Sequence, residues 1–207
     1  MTYAIDEIAR EIALRRYGIP ECLHVPIAAV DEHAITTYVG EILQGFGRGT
    51  PARALLVRAK DPPAVDNRFP IWDVEGSQIF HERMQVWVHH SYNRYRSAYR
   101  KALPAENIDG KILSHAMNRR VAALKGFQYV RLTPTSRRAN SSSAFSEGWA
   151  FDFHSTPGQI AANRQRRAFI QYADLTDLML MLDMNLGGGI MEAVNDGQKL
   201  VKPKLVD

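Results

Sequence analysis

The sequence predicts an α+β fold that is mostly helical with a small sheet, in a single domain with a helical C-terminal section. Most of the 207-residue chain repeats apolar side chains at helical spacing, whereas runs typical of strands are few and short. Hydrophobic residues make up 45% and charged residues 23%, as in ordinary globular proteins. A chain of this length can bury a core without disulfides, and its one cysteine, Cys22, fits a reducing compartment.

The first elements of the chain are predicted as two helices and a short strand. Residues 4–17 and 31–43 repeat apolar side chains at helical spacing, and the second segment begins with Asp31, a good capping residue. The glycine-rich run 45–51 is typical of a turn. A buried strand is then expected over residues 54–59, where four aliphatic residues precede an arginine.

The middle of the chain is predicted as two long helices followed by two strands. The first helix, over residues 81–102, is rich in tyrosine and arginine. The second, over residues 111–125, is closed by Gly126, a residue that favours the left-handed conformation at a helix end. Residues 127–132 alternate enough to form a strand, and residues 149–153 are expected to pair with it.

The C-terminal third is predicted to be helical. Helices are expected over residues 159–172, 175–184 and 190–201, with a glycine hinge at 187–189. The second of these has an apolar, methionine-rich stripe, which is typical of core and also suits a contact between subunits. A homo-oligomer that assembles through the C-terminal helices is therefore consistent with the sequence.

The domain organisation follows from these elements. An N-terminal helical section (1–60), a basic α+β core (69–173) and a C-terminal helical tail (174–207) are expected to form one compact domain. The N-terminus lacks the basic start and apolar run of a signal peptide, and no apolar stretch is long enough to span a membrane. The sequence therefore predicts a cytoplasmic protein.

Charge is distributed unevenly along the chain. Residues 94–138 contain eleven lysines and arginines but only two acids, Glu106 and Asp109, which gives a net charge of +9. Residues 1–90 and 174–207 each carry a net charge of −3. The basic segment is thus a candidate surface for nucleic acid or another phosphate-bearing partner.

Two polar ridges are expected on the helices of this basic segment, because side chains three and four positions apart share a helix face. Guanidinium groups on such a ridge suit phosphate oxygens, and the loop 133–143 adds arginines among hydroxyl and amide groups. The ridges consist of His89, Asn93, Arg96 and Arg100, and of Lys111, His115, Asn118 and Arg119. The predicted phosphate-binding residues are Arg94, Arg96, Arg100, Arg119, Arg120, Arg131, Arg137, Arg138 and Asn140.

The same segment suggests a hydrolytic reaction. A nuclease needs a general base to activate water and usually a divalent metal to stabilise developing charge. His115 is the candidate base, with Asn118 as the group that orients it. The candidate metal ligands are His89, His90, Asp152 and His154.

Three functions are compatible with this basic segment. The leading hypothesis is a protein that binds DNA or RNA, with metal-dependent nuclease activity as its catalytic form. The alternative is a non-catalytic assembly or scaffold protein whose basic surface docks an acidic protein partner. A third is an enzyme that acts on a small phosphate compound.

Overall fold

A curled antiparallel sheet dominates the structure. The computed structural model describes residues 25–49, 53–59, 71–74, 84–142, 144–165, 168–173, 177, 180, 181 and 201–204. In these ranges seven strands form one strongly curled sheet, a half-barrel with helices on both faces. The prediction of a mostly helical fold with a small sheet is therefore wrong.

The strands are connected by antiparallel pairing throughout. The main sheet has the order β2-β3-β5-β7-β1-β8, and β6 pairs with the second half of β7. A separate two-stranded sheet joins β4 to β9. The described strands are β1 (Pro26–Ala29), β2 (Gly40–Phe46), β3 (Ala54–Ala59), β4 (Ile71–Val74), β5 (Met84–His89), β6 (Ile112–His115), β7 (Tyr129–Thr135), β8 (Ile170–Tyr172) and β9 (Val201–Lys204).

The helices of the described ranges are short. The first, α1, runs directly into a single π-helical turn, Ile35–Val39. The helices are α1 (Glu32–Ala34), α2 (Tyr95–Ala102), α3 (Arg119–Lys125), α4 (Arg137–Ser142), α5 (Ala144–His154) and α6 (Pro157–Gln165).

The main sheet buries both of its faces. On one face, Leu56 and Val86 pack with Tyr99 and other side chains of α2. On the opposite face, Trp87 packs with Ile35 and its neighbours from α1 and the π-helical turn. The central strands are therefore apolar on both sides, which removes the alternation of apolar and polar residues that identifies a half-buried strand.

The two helices predicted over residues 81–102 and 111–125 are each a strand followed by a shorter helix. Residues 84–89 are β5, and α2 begins only at Tyr95. Residues 112–115 are β6, and α3 begins at Arg119. The apolar residues of both segments also fit helical spacing, but pairing with β3 and β7 determines the structure. The two predicted ridges are consequently interrupted.

Further along the chain, strand and helix are exchanged relative to the prediction. The strand expected at 149–153 lies within helix α5, and part of the loop expected at 133–143 is helix α4. Within the range 159–172, where one helix is expected, the structure has α6, which ends at Gln165, and residues 170–172 form β8 against β1. Short sequences with apolar residues on every side carry little information about the partner that they will pack against.

The N-terminal section contains more strand than helix where the structure describes it, because only α1 and the π-helical turn are helical. Strands β1, β2 and β3 of this section pair within the same sheet as strands of the basic core. The helix predicted over 31–43 ends at Val39, and Gly40 starts β2. A side chain at Gly40 would place its Cβ 2.0 Å from the carbonyl oxygen of Arg58, so the close approach of β2 and β3 requires glycine.

Several local predictions are confirmed. The strand at 54–59 is β3. Asp31 caps α1, because its Oδ1 accepts a hydrogen bond from the backbone N–H of Ala34 at 2.7 Å. Gly126 ends α3 in the left-handed conformation, with φ of 83°.

Three predicted elements near the two ends of the chain lie largely outside the described residues. The helix at 4–17 and the hinge at 187–189 lie outside the described residues. The helix at 190–201 does too, except for its last residue, which begins β9. No helix in the described ranges combines the length and the apolar character needed to cross a membrane.

Candidate functional site

Two clefts share helix α2 as a wall. The hairpin cleft, about 580 Å³, lies between α2 and the turn that joins β2 to β3. The histidine cleft, about 660 Å³, lies where the first turn of α2 meets β6, α3, α4 and α5. The hairpin cleft is lined by Phe46, Gly47, Arg48, Arg53, Tyr92, Arg94, Ser97, Ala98 and Lys101. The histidine cleft is lined by Tyr95, Ile112, Leu113, Ser114, His115, Asn118, Arg119, Arg120, Asn140, Ser141, Glu147, Gly148 and Phe151.

The hairpin cleft depends on the backbone at Gly47. This residue has a φ of 91°, a backbone angle that residues with a side chain rarely adopt. A Cβ at this position would also lie 2.7 Å from the Cβ of Arg53. The backbone N–H of Arg53 donates to the carbonyl oxygen of Phe46 at 3.0 Å and closes the base of the turn. The two arginines of the turn, Arg48 and Arg53, are thereby held beside α2.

Four cations line the hairpin cleft. Arg48 and Arg53 come from the turn, whereas Arg94 and Lys101 come from α2 and its N-cap position, with Ser97 between them. Offsets of three and four residues put the groups from α2 on one side of the helix. All four cationic side chains are exposed. Within the part of the chain that the structure describes, no acidic residue lines the cleft and none of the four cations pairs with a carboxylate. The cleft is thus a concentrated positive surface.

His115 lies at the end of β6, in the wall of the histidine cleft. Its ring meets the ring of Tyr95 edge to face, with centroids 4.6 Å apart. Its Nε2 is buried and has no hydrogen-bond partner among the described residues. Burial, and secondarily the charge of Arg119, lower the pKa of His115 to about 4. The imidazole is therefore neutral at physiological pH and a weak base.

Both polar atoms of the Asn118 amide, Oδ1 and Nδ2, are hydrogen-bonded within the fold. Its Oδ1 accepts the backbone N–H of Arg120 at 2.9 Å and so caps α3. Its Nδ2 donates to Oε2 of Glu147 at 3.0 Å, which connects α3 to α5. The amide is hydrogen-bonded to Arg120 and Glu147 rather than to His115, so the geometry supports capping rather than orientation of a base.

Two arginines project from the start of α3 into the histidine cleft. Arg119 donates to Oδ1 of Asn93 at 3.1 Å, and its guanidinium lies 5.9 Å from the centre of the Tyr95 ring. The guanidinium of Arg120 lies 5.7 Å from the centre of the Phe151 ring. Contact with an aromatic ring orients a guanidinium group, and its remaining N–H groups are still able to donate to an anion.

The structure brings five of the fifteen predicted site residues together in one cleft. His115, Asn118, Arg119, Arg120 and Asn140 all line the histidine cleft. Arg94 lines the hairpin cleft, separately from them. Four further predicted arginines are exposed outside both clefts: Arg96 and Arg100 on α2, and Arg137 and Arg138 on α4.

Arg131 does not belong to this surface. Its side chain is 0% exposed, within β7. Its cross-strand partner is Trp87, and residues directly opposite in a sheet share a face, so Arg131 lies on the face away from α2. The predicted contact of this arginine with phosphate is therefore corrected to a buried position in the sheet.

The four predicted metal ligands do not form a common site. The rings of His89 and His90 lie 4.5 Å apart, and Nδ1 of His89 is 2.8 Å from Oγ of Ser91. Asp152 and His154 are on α5, where Nδ1 of His154 is 3.4 Å from Nδ2 of Asn163. Among the residues that the structure describes, no three histidine, cysteine or acidic side chains converge as metal ligands do.

Four charged residues of the clefts are absent from the predicted site: Arg48, Arg53, Lys101 and Glu147. Arg48 lies within the glycine-rich run, and Arg53 comes after it. Only the pairing of β2 with β3 brings the two arginines beside α2. Lys101 was detectable, because it stands seven residues after Arg94 and so on the same side of a helix.

Comparisons with protein-family models, curated proteins and solved structures gave no match to the chain, so the functional conclusion depends on the two clefts themselves.

Proposed function

We propose that this protein binds the phosphate backbone of a nucleic acid with the surface formed by α2, the hairpin cleft and the histidine cleft. One observation carries the proposal. Among the described residues, the two clefts contain six arginine and lysine side chains and one carboxylate, Glu147, which accepts a hydrogen bond from Asn118. Backbone phosphates attract such a surface without regard to base sequence.

The aromatic side chains around the clefts support this proposal. Tyr92 lines the hairpin cleft. On α5, Trp149 is 64% exposed and stacks on Phe153, with ring centres 5.6 Å apart. Exposed aromatic rings next to cations are typical of surfaces that bind single strands, because bases stack on the rings while the cations contact the phosphates.

Binding without hydrolysis is the form that the geometry favours. The buried Nε2 and lowered pKa of His115 make it a poor base at neutral pH, and the described residues assemble no metal site. We expect plasmid DNA and RNA to stay intact with Mg²⁺, Mn²⁺ or EDTA. Cleavage that is lost in His115→Ala would restore the catalytic hypothesis.

Fluorescence anisotropy with labelled random-sequence DNA and RNA tests the proposal. Replacing Arg119 and Arg120 by glutamine should weaken binding by about tenfold or more, because charge-assisted hydrogen bonds to phosphate are lost. Arg164→Gln is the matched control, since Arg164 is exposed on α6 and lines neither cleft. Absence of binding even at low ionic strength would overturn the proposal and favour an acidic protein partner.

A further inference from the structure

The hairpin cleft differs from the histidine cleft in its charge. Its four described cations come from two elements, the β2–β3 turn and α2 with its N-cap position, and no carboxylate is among the described residues of the lining. The histidine cleft has two cations and Glu147. A phosphodiester in a nucleic-acid backbone carries one negative charge, whereas a phosphate monoester at neutral pH carries a charge close to −2 and has three strong acceptor oxygens. The hairpin cleft is therefore better matched to a monoester.

The shape of the hairpin cleft supports the same ligand. Gly47 lets the turn pack closely beside Arg53 and Tyr92, because a Cβ there would lie only 2.7 Å from the Cβ of Arg53 and 3.6 Å from the hydroxyl of Tyr92. The volume of about 580 Å³ is within the range of small-molecule sites and accommodates a nucleotide. The tyrosine ring offers a surface for the sugar or base that is attached to the phosphate.

From this charge and shape, we propose that the hairpin cleft binds a terminal phosphate monoester, carried by the end of a nucleic-acid strand or by a free nucleotide. Arg48, Arg53, Arg94 and Lys101 hold the phosphate oxygens, and Tyr92 packs against the adjoining nucleoside. The inference deepens the proposed function: the histidine cleft contacts backbone diesters, and the hairpin cleft contacts the strand end.

Oligonucleotides of one sequence with a 5′-phosphate, a 3′-phosphate or hydroxyl groups at both ends test this inference. The wild-type protein should bind one of the phosphorylated strands about tenfold more tightly than the hydroxyl strand. Arg48→Gln and Lys101→Gln should abolish this preference. Arg119→Gln is the matched control: it should weaken binding of all three strands and leave their ratio unchanged.

A competition measurement distinguishes the two sources of the phosphate. A nucleoside monophosphate that displaces the phosphorylated strand, when the nucleoside itself does not, shows that a free nucleotide suffices. Displacement only by phosphorylated strands assigns the site to strand ends. Circular dichroism and thermal unfolding of each variant verify that these exposed substitutions leave the fold intact.

The two proposals can fail separately. Equal affinity for phosphorylated and hydroxyl strands would overturn the monoester site and leave backbone binding in place. Binding of the nucleoside monophosphate without binding of any strand would overturn the proposed function and support the monoester site in the hairpin cleft. If neither ligand binds at low ionic strength, both proposals are wrong.

Discussion

At the scale of single residues, the structure shows what holds each of the two candidate catalytic side chains in place. Asn118 caps α3 and is hydrogen-bonded to Glu147, and His115 packs against Tyr95 with its Nε2 buried. Sequence spacing had put both residues on one ridge, and they do lie in one cleft. What spacing could not show is burial, which decides whether a histidine can exchange a proton near neutral pH.

The lowered pKa of His115 predicts a specific dependence of stability on pH. The unfolded chain protonates this histidine near pH 6.5, and the folded chain only near pH 4. Between these values the unfolded state binds more protons, so the free energy of unfolding falls as the pH is lowered. From pH 7 to pH 5 the loss due to His115 should be about 2 kcal/mol.

Urea unfolding of the wild type and of His115→Gln at both pH values measures this loss. The variant should lose less stability on acidification, by about 2 kcal/mol. His89 and His90 remain in both proteins, and their pKa values are also lowered, mainly by burial, so their contribution cancels in the difference. Equal pH dependence in the two proteins would contradict the assignment.

At the scale of elements, the hairpin between β2 and β3 determines whether the hairpin cleft exists. Gly47 and Gly49 both have positive φ values, 91° and 109°. A Cβ at Gly49 would meet no atom within 4 Å, whereas one at Gly47 would meet Arg53 at 2.7 Å. Alanine substitutions at these two glycines therefore separate the effect of backbone strain from the effect of steric overlap.

We expect Gly49→Ala to destabilise the protein by about 1 kcal/mol through strain alone. Gly47→Ala should cost more, about 2–3 kcal/mol, because overlap with Arg53 is added to the same strain. Urea unfolding gives both values. In the binding assay, only Gly47→Ala should reduce the preference for a phosphorylated strand. Similar stabilities for the two variants would show that the turn relaxes freely around Arg53.

Element prediction from the sequence succeeded where local chemistry decides the structure. The cap at Asp31 and the left-handed end at Gly126 depend on a few neighbouring atoms and were predicted correctly. Prediction failed for residues 84–89 and 149–153, where strand and helix were exchanged. Strand β5 is buried on both faces by partners from distant parts of the chain, so its own sequence contains no alternation to read.

At the scale of the whole molecule, the fold converts a basic stretch of sequence into one surface. Val88 packs with α2, Val130 packs with α3, and the two valines are directly opposite in β5 and β7. Opposite residues share a face of the sheet, so α2 and α3 cover the same face. The sequence therefore predicted where the charge would concentrate, although it assigned the wrong architecture to the segment.

The surface also gains charge that the linear pattern does not contain. Arg48 and Arg53 belong to the acidic N-terminal part of the sequence, with its net charge of −3, yet antiparallel pairing brings them beside Arg94 and Lys101. Arg131, in contrast, is buried within the sheet and adds no charge to this surface. Charge counted along the chain thus locates the segment that supplies four of the six described cleft cations and misses the two from the β2–β3 turn.

The number of cations in the two clefts predicts how binding depends on salt. If each of the six cations neutralises one backbone phosphate of a single-stranded DNA with hydroxyl ends, the logarithm of the affinity should fall with the logarithm of salt concentration with a slope of about −4. Each substitution of one cation by glutamine, in either cleft, should reduce the magnitude of the slope by about 0.7. Arg164→Gln should leave it unchanged, because that side chain is on α6 outside the clefts. A slope near −1, or one that changes only with substitutions in one cleft, would mean that the backbone does not cross both clefts, since counterion release counts every phosphate that the protein neutralises.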